Sequence, residues 1–596
     1  MSNKTVRVGC ASAFYGDSQL AARQLVEKGE IDYLVFDYLA EVTMAILSQA
    51  KAKNENLGYA VDFVTVAMKD VLADCAKKGI KVVANAGGVN VPACIAALES
   101  LCEQQNLNLT VAGVYGDDLT PQKSQLIAQG LPEMQTGAAL PEKTASINAY
   151  LGARPIVDAL VAGADIIVTG RVVDSAVALA PLMYEFGWTA SDYDQLAQGS
   201  LAGHVIECGA HCTGGNFTDW QLVPDFADMS YPIAEVSEDG SFIVDIPPGT
   251  GGMVSIGTVG EQILYEIGDP ANYLLPDVAC DFTQVHLQEI AKDRVRVSGA
   301  KGRSPGPYYK VCATYVDGYR LMSSFFMAGL RSTEKAKASL EAWVRRTQRV
   351  FAERGWEDYR EVSLDVVGSE SIYGPHAREL NSREVMGKYG FHHNSREALT
   401  FASHEMAYLA TSASPGMTGF GAGRVRPQPL IRVHSALLDK SQVAVKVQLG
   451  SEIIVDEPYL SDGESEPVKN EHVELESVDL SGETIEVPLE KLAYARSGDK
   501  GDNANIGIMA RKVEYLPILQ DQITAQAVDD YFAHLVKGDV ERFDVPGLYA
   551  YNFLLTEALG GGGTASLRLD SQAKTYGQML LSKMVTVPAS WFPDGV

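Results

Sequence analysis

The sequence predicts an α/β protein of several domains, and three observations carry that prediction. Short apolar runs alternate with helical stretches through the first 200 residues. Gly, Pro and β-type runs become frequent over 201–455, and an acidic stretch from Asp456 to Glu490 precedes a compact C-terminal unit. At 596 residues the chain exceeds what one hydrophobic core supports.

In the first part the expected strands are Val6–Cys10, Tyr33–Phe36, Lys81–Ala84, Leu109–Val114 and Asp165–Val168, runs of the kind buried on both faces. Tyr59–Lys78 and Pro141–Gly163 read as helices between them. Such alternation implies right-handed crossovers and a parallel sheet covered by helices, with a barrel as the second architecture. This α/β domain (1–200) leads into a mixed α+β region (201–455). Its strand-like runs are Phe242–Ile246, Met253–Gly257, Arg294–Val297, Tyr309–Val316, Glu361–Val367 and Leu430–Leu449. Arg331–Gly355 reads as one amphipathic helix, because Ala336, Leu340, Trp343, Thr347 and Val350 recur at helical spacing. The acidic linker (456–486), with Asp462-Gly-Glu-Ser-Glu-Pro467, is too poor in large apolar residues to bury a core. Residues 487–596 then read as an α+β unit with two or three strands and two helices.

Charge excludes several partners. A formal charge of −27 argues against nucleic acid and against anionic membranes, both of which need clustered Lys and Arg. No apolar run approaches the roughly 18 residues needed to span a bilayer. The first ten residues lack a signal-peptide core, since Arg7 interrupts them. Eight cysteines, never spaced Cys-x-x-Cys, read as reduced thiols, and a cytoplasmic location is expected.

Polar residues cluster where each predicted strand ends: Ser12 and Asp17, Asp37 and Glu41, Asn85 with Gly87, Gly88 and Asn90, Asp117 and Asp118, then Thr169, Arg171, Asp174 and Ser175. Ligands bind at the carboxyl ends of strands in open α/β sheets, so these clusters describe a pocket rim. Helix capping is the plainer role for any single Asp among them. The run Gly203–Asn216 is denser still, holding His204, Glu207, Cys208, His211 and Cys212 among glycines. It allows a zinc site, a catalytic group drawn from His204, Glu207 and Cys208, or a Gly-rich substrate loop with buried thiols. Its spacing fits no common structural zinc site, so zinc is not expected.

Other motifs are excluded. Gly9 and Gly16 are too far apart for a dinucleotide fingerprint, and the pair Gly387-Lys388 opens no P-loop. Gly302-Arg-Ser-Pro-Gly306 mimics a hydrolase elbow, but Pro305 has no N–H for an oxyanion. Lys301 and Arg303, with Lys310 following, offer cations for a phosphate or carboxylate, or decorate a solvated turn. His392-His393 reads as a surface pair in a polar loop. In the C-terminal unit, Ala495–Gly507 carries Arg496, Asp499, Lys500, Asp502 and Asn505, more than a turn requires. Gly560–Gly563 is either a backbone anion nest or a helix stop.

Gly29–Glu41, Asn85–Asn90, Thr169–Ala176, Gly203–Asn216, Thr250–Ser255 and Ser414–Gly419 together resemble the acyclic terpene utilisation (AtuA) family over nearly the whole chain. The Arg496–Gly507 loop and the four-glycine run resemble that family's C-terminal ferredoxin-like domain. The resemblance implies breakdown of citronellol-, geraniol- and leucine-type branched acyl-CoA compounds, and it assigns no catalytic residue.

From the residues themselves, the leading expectation is a hydratase or lyase that needs no redox cofactor, with an acyl-CoA or carboxylate substrate. Asp37, Asp117, His204, Glu207 and Cys208 are the catalytic candidates. Asn85, Gly87, Gly88, Asn90, Arg171, Asp174, Lys301, Arg303, Arg496 and Lys500 are the substrate-binding ones. The rival is a non-catalytic scaffold for a biotin-dependent acyl-CoA carboxylase. A homo-oligomer is expected in either case.

Overall fold

A computed structural model describes residues 4–419, 424–461, 463 and 466–593. Asp462, Glu464 and Ser465 of the linker motif lie outside the described residues. The first six strands are β1 (Thr5–Cys10), β2 (Tyr33–Phe36), β3 (Lys81–Ala84), β4 (Val111–Tyr115), β5 (Thr144–Ala149) and β6 (Ile166–Thr169). Five of them pair in parallel in the order β1-β2-β3-β6-β4. Every residue of β2 and β6 is buried, which is why these strands read as unbroken apolar runs.

Antiparallel strands extend the sheet on both sides to eleven. Ile233–Ser237, Phe242–Asp245, Arg294–Ser298 and His286–Ala291 lie beyond β1, and Val445–Leu449 and Glu452–Glu457 lie beyond β4. The sheet is open, so the barrel is excluded. The first 200 residues share this sheet with segments drawn from as far as Glu457.

Three expectations fail for identifiable reasons. Pro141–Gly163 is not one helix: β5 pairs antiparallel with the strand Tyr308–Ala328, and only Arg154–Val161 is helical. Pairing within a second, six-stranded sheet overrides the local pattern. Met253–Gly257 is not a strand, because Ser255 and Thr258 form a capping box that starts the helix Ile256–Ile263. His392 and His393 are buried at the end of the strand Glu384–His393, where each Nε2 meets a backbone carbonyl, Asp317 at 2.7 Å and Glu357 at 2.9 Å.

The C-terminal unit exceeds the two or three strands and two helices expected: a four-stranded antiparallel sheet of Ala493–Lys500, Asn503–Ala510, Ala550–Leu555 and Val540–Val545 is joined by the pair Thr484–Pro488 and Met584–Pro588 and by three α-helices. Its own core includes Leu489, Ile506, Leu519, Phe532, Phe553 and Leu580. It docks on the central region through paired polar groups. Asn505 Nδ2 donates to Leu264 O at 2.7 Å, Asn552 Nδ2 to Ile267 O at 2.8 Å, and Arg511 meets both Asp219 oxygens at 2.6 Å. The described part of 458–483 has no regular element, yet it is tied down. The N–H groups of Val473 and Leu475 donate to Asp544 and Gln520, each at 2.9 Å. Among the described residues no helix is long and apolar enough to cross a membrane.

Candidate functional site

The loops leaving β2, β3, β4 and β6 carry Asp37, Asn85, Asp117 and Arg171 into the interior, each between 0 and 6 % exposed. Asn85 works from both ends of its amide. Its Oδ1 accepts from Tyr38 N–H at 2.7 Å and its Nδ2 donates to Asp37 Oδ1 at 2.5 Å, which aims the carboxyl. Burial raises Asp37 well above the carboxylate range; Asp174 and Glu207 add to this, and Arg171 opposes it.

Asp117 is more fully engaged. Oδ2 accepts from Asn148 Nδ2 at 2.9 Å and from Arg171 N–H at 2.8 Å. Gly170 is required beside it, because a Cβ there would fall 2.1 Å from Asp117 Oδ1. Burial lifts Asp117 from 3.8 to about 7. The folded state therefore holds this proton more tightly than the unfolded chain. That stabilisation is fully present below pH about 4 and is lost as pH rises through about 7. The difference in thermal stability between wild type and Asp117→Asn should follow the same window, and a pH-independent difference would contradict the shift.

The helix Tyr193–Glu207 delivers His204 and Glu207 one turn apart, with His204 Nδ1 3.0 Å from Glu207 Oε1. Burial and the nearby Lys500 cation push the imidazole down to about 4. Burial, with Asp174 and Glu266, pushes the Glu207 carboxyl up against the pull of Lys500 and Arg171. The pair is thus a neutral imidazole beside a carboxyl of raised proton affinity. Cys208 follows at intermediate exposure. Burial and the Glu207 and Glu266 carboxyls raise its thiol, which speaks against a thiolate nucleophile.

Around these groups lie cations that the sequence only partly disclosed. Arg171 Nη1 meets Asp174 Oδ1 at 2.5 Å, its guanidinium stacks 4.1 Å over the Tyr150 ring, and its Nε has no hydrogen-bond partner among the described residues. Tyr150 donates its hydroxyl to Glu41 at 2.5 Å, and Lys310 approaches the same oxygen at 3.5 Å. Burial alone would raise Glu41, but Lys310, Arg171 and Tyr150 hold it below the usual range.

From the C-terminal sheet, Lys500 reaches the field of Glu266, Asp174, Glu207 and Glu41. Burial would lower its pKa, and those carboxyls raise it instead. Lys500 keeps open surface although protein surrounds it, which places it in a recess. Asp499 is raised to about 7 by burial and Glu266, against Lys574 at 3.5 Å. Six carboxyls (Asp37, Glu41, Asp174, Glu207, Glu266, Asp499) thus share this region with four cations (Arg171, Lys310, Lys500, Lys574).

The remaining candidates are held elsewhere. Asn90 donates to Glu55 O and Leu57 O, fastening a loop. Gly87 donates its amide to Thr169 O, so it is not a free oxyanion donor. At Gly88, φ is +55° and a Cβ would strike Leu47, so this glycine serves the turn. Lys301 pairs with Asp194 at 2.8 Å, at the opposite end of the helix from Glu207 and roughly 20 Å away at 1.5 Å per residue. Arg303 is bound to Ala271 O and Asn272. Arg496 is paired with Glu261 at 3.2 Å and also donates to Gly215 O. Asp17 and Asp118 cap local turns, accepting from Ala13 and Ser18 and from Thr120 respectively.

Tyr150, Glu266 and Lys574 join the cluster with no sequence reading pointing to them, whereas Glu41, Lys310 and Asp499 lay in motifs singled out in the sequence without being chosen as site residues. Lys310, which follows the Lys301–Arg303 loop, was the available signal, and it alone of those three cations arrives. An apolar cavity of about 290 Å³ lies away from the cluster, between the helix Ser332–Glu353 and the segment 369–380, with Leu340, Val366 and Leu380 in its wall. It contains none of these acids and bases, so the titratable groups locate the candidate site.

Two family models match the chain. One, described as acyclic terpene utilisation family protein AtuA, covers residues 6–449, and the other, an AtuA ferredoxin-like domain, covers residues 487–586. No curated protein and no solved structure matches.

Proposed function

The chain belongs to the acyclic terpene utilisation family AtuA, and on that premise we propose that it is a hydratase or lyase of a branched acyl-CoA, working by proton transfer without a redox cofactor. One observation carries the reading: two buried carboxyls of raised pKa, Asp37 and Glu207, lie within electrostatic reach of Arg171, and Glu207 also within reach of Lys500. Carboxyls tuned towards neutral pH can both give and take protons.

In hydration, water oxygen bonds to C3 of the enoyl thioester while an ionised carboxylate takes its proton. A second, protonated carboxyl then delivers a proton to C2, and the electron pair held on the thioester oxygen returns to carbon. Asp37 and Glu207 supply these two states because the negative charge of one raises the other. Arg171, Lys310 and Lys500 hold an anionic substituent and the developing enolate charge. Asn85 positions Asp37.

The test is incubation with branched 2-enoyl-CoA thioesters in ¹⁸O-water, with products followed by mass spectrometry. A product heavier by one labelled water, with no nicotinamide consumed, is expected. Absence of turnover, together with tight co-purification of a biotin-dependent carboxylase, would replace this reading by the scaffold.

A further inference from the structure

The loop after the strand Ala550–Leu555 is surrounded by arginines in an otherwise acidic chain, and no helix lies between that strand and its glycines. Gly560, Gly561 and Gly562 have φ of 68°, 103° and 77°, conformations that favour glycine. A Cβ on Gly560 would meet Arg568 Nε at 3.0 Å, and one on Gly561 would meet Arg432 Nη1 at 2.8 Å. Arg320 Nη1 donates to Thr564 O at 3.1 Å. Three guanidiniums therefore close on five residues.

The amides of Gly560, Gly562, Gly563 and Thr564 donate to no described residue, whereas the Gly561 amide is taken by Asp502 Oδ1 at 2.7 Å. Arg432 Nε and Arg360 Nη1 share Asp317, each at 2.5 Å. Arg568 Nη1 donates to Leu535 O and Ala558 O. Burial lowers Arg320, and no carboxylate opposes it. Four arginines (Arg320, Arg360, Arg432, Arg568) gather here, with Asp317 paired to two of them and Asp502 bonded to the loop, in a chain that as a whole carries −27.

We propose that Gly560–Thr564, with Arg320, Arg432 and Arg568, binds a phosphate monoester: the terminal phosphate on the nucleotide of a coenzyme A thioester. Forked guanidiniums and free backbone amides match the oxygens of a phosphate. The loop lies against the turn that follows Lys500, because a Cβ on Gly562 would lie 2.3 Å from the carbonyl of Gly501. The identity of the ligand rests on the acyl-CoA reading above, and the anion chemistry rests on the loop.

The experiment is calorimetric titration of the full chain with adenosine 3′,5′-bisphosphate, which carries no acyl group, with inorganic phosphate in a parallel arm. Binding is expected to weaken about tenfold or more in Arg432→Gln and in Arg320→Gln, less in Arg320→Lys, and not at all in Asp37→Asn. Thermal melting of each variant checks that the fold persists. Failure of the bisphosphate to bind, or equal binding by the arginine variants, overturns the proposal: the guanidiniums would then only brace the loop. Inorganic phosphate binding as tightly as the bisphosphate overturns the nucleotide assignment. Bisphosphate binding that depends on the arginines supports the proposal even if no enoyl thioester turns over, an outcome that would sink the catalytic reading alone.

Discussion

Replacing Asp37 by Asn should lower kcat about a hundred- to ten-thousandfold with the fold intact. The substitution preserves shape, and the new amide carbonyl can still accept from Asn85 Nδ2, now 2.5 Å from the carboxyl. What disappears is the proton. The native carboxyl is 6 % exposed and raised by burial, so removing its charge relieves desolvation, and thermal stability should hold or rise. Asn85→Ala makes the complementary case. It releases both Tyr38 N–H and Asp37, and should shift the pH profile of kcat with a smaller loss of rate. Wild-type turnover by Asp37→Asn in the ¹⁸O assay would show that this carboxyl carries no proton in the reaction.

The second large effect concerns the joint between the two family domains. Arg496 and Glu261 are 6 % and 1 % exposed at 3.2 Å, so Arg496→Met strands a buried carboxyl and should destabilise docking by about 3–5 kcal/mol. Burial raises the Glu261 pKa and Arg496 pulls it back. Without Arg496 the carboxyl holds its proton to higher pH, so the defect should deepen as pH rises through the carboxylate range. Lys500 lies on the same strand, Ala493–Lys500, so turnover should fall with stability. The double variant Arg496→Met/Glu261→Leu replaces the pair by apolar groups and should recover most of the loss, as read by calorimetry. A double variant as unstable as the single one would refute the stranded-charge account.

Particular elements show how far the residues could be read. The parallel strands were legible because burial on both faces leaves an unbroken apolar run, and the clusters after them were legible because such strands end at one edge. β5 was not, since its pairing partner Tyr308–Ala328 lies more than 150 residues away in the chain. The burial of His392 and His393 was hidden because their partners, Asp317 and Glu357, lie on other segments of the chain. Within the site, Asp37, Asn85, Asp117 and Arg171 could be named from strand ends alone. Lys301, Arg303 and Arg496 were chosen on charge, and each is held by a partner that no local pattern reveals.

By itself the sequence determined the α/β class, the acidic character and the strand-end residues, which follow from local spacing and composition, and its motifs carried the family resemblance. Only the tertiary structure decided which charges meet. It set Lys500 of the C-terminal sheet and Lys310 of the long strand among Asp174, Glu207 and Glu41, and it withdrew Arg496 into a buried ion pair. A carboxyl's proton affinity depends on how deeply it is covered and on which charges lie within a few ångströms, and neither quantity exists until distant segments pack.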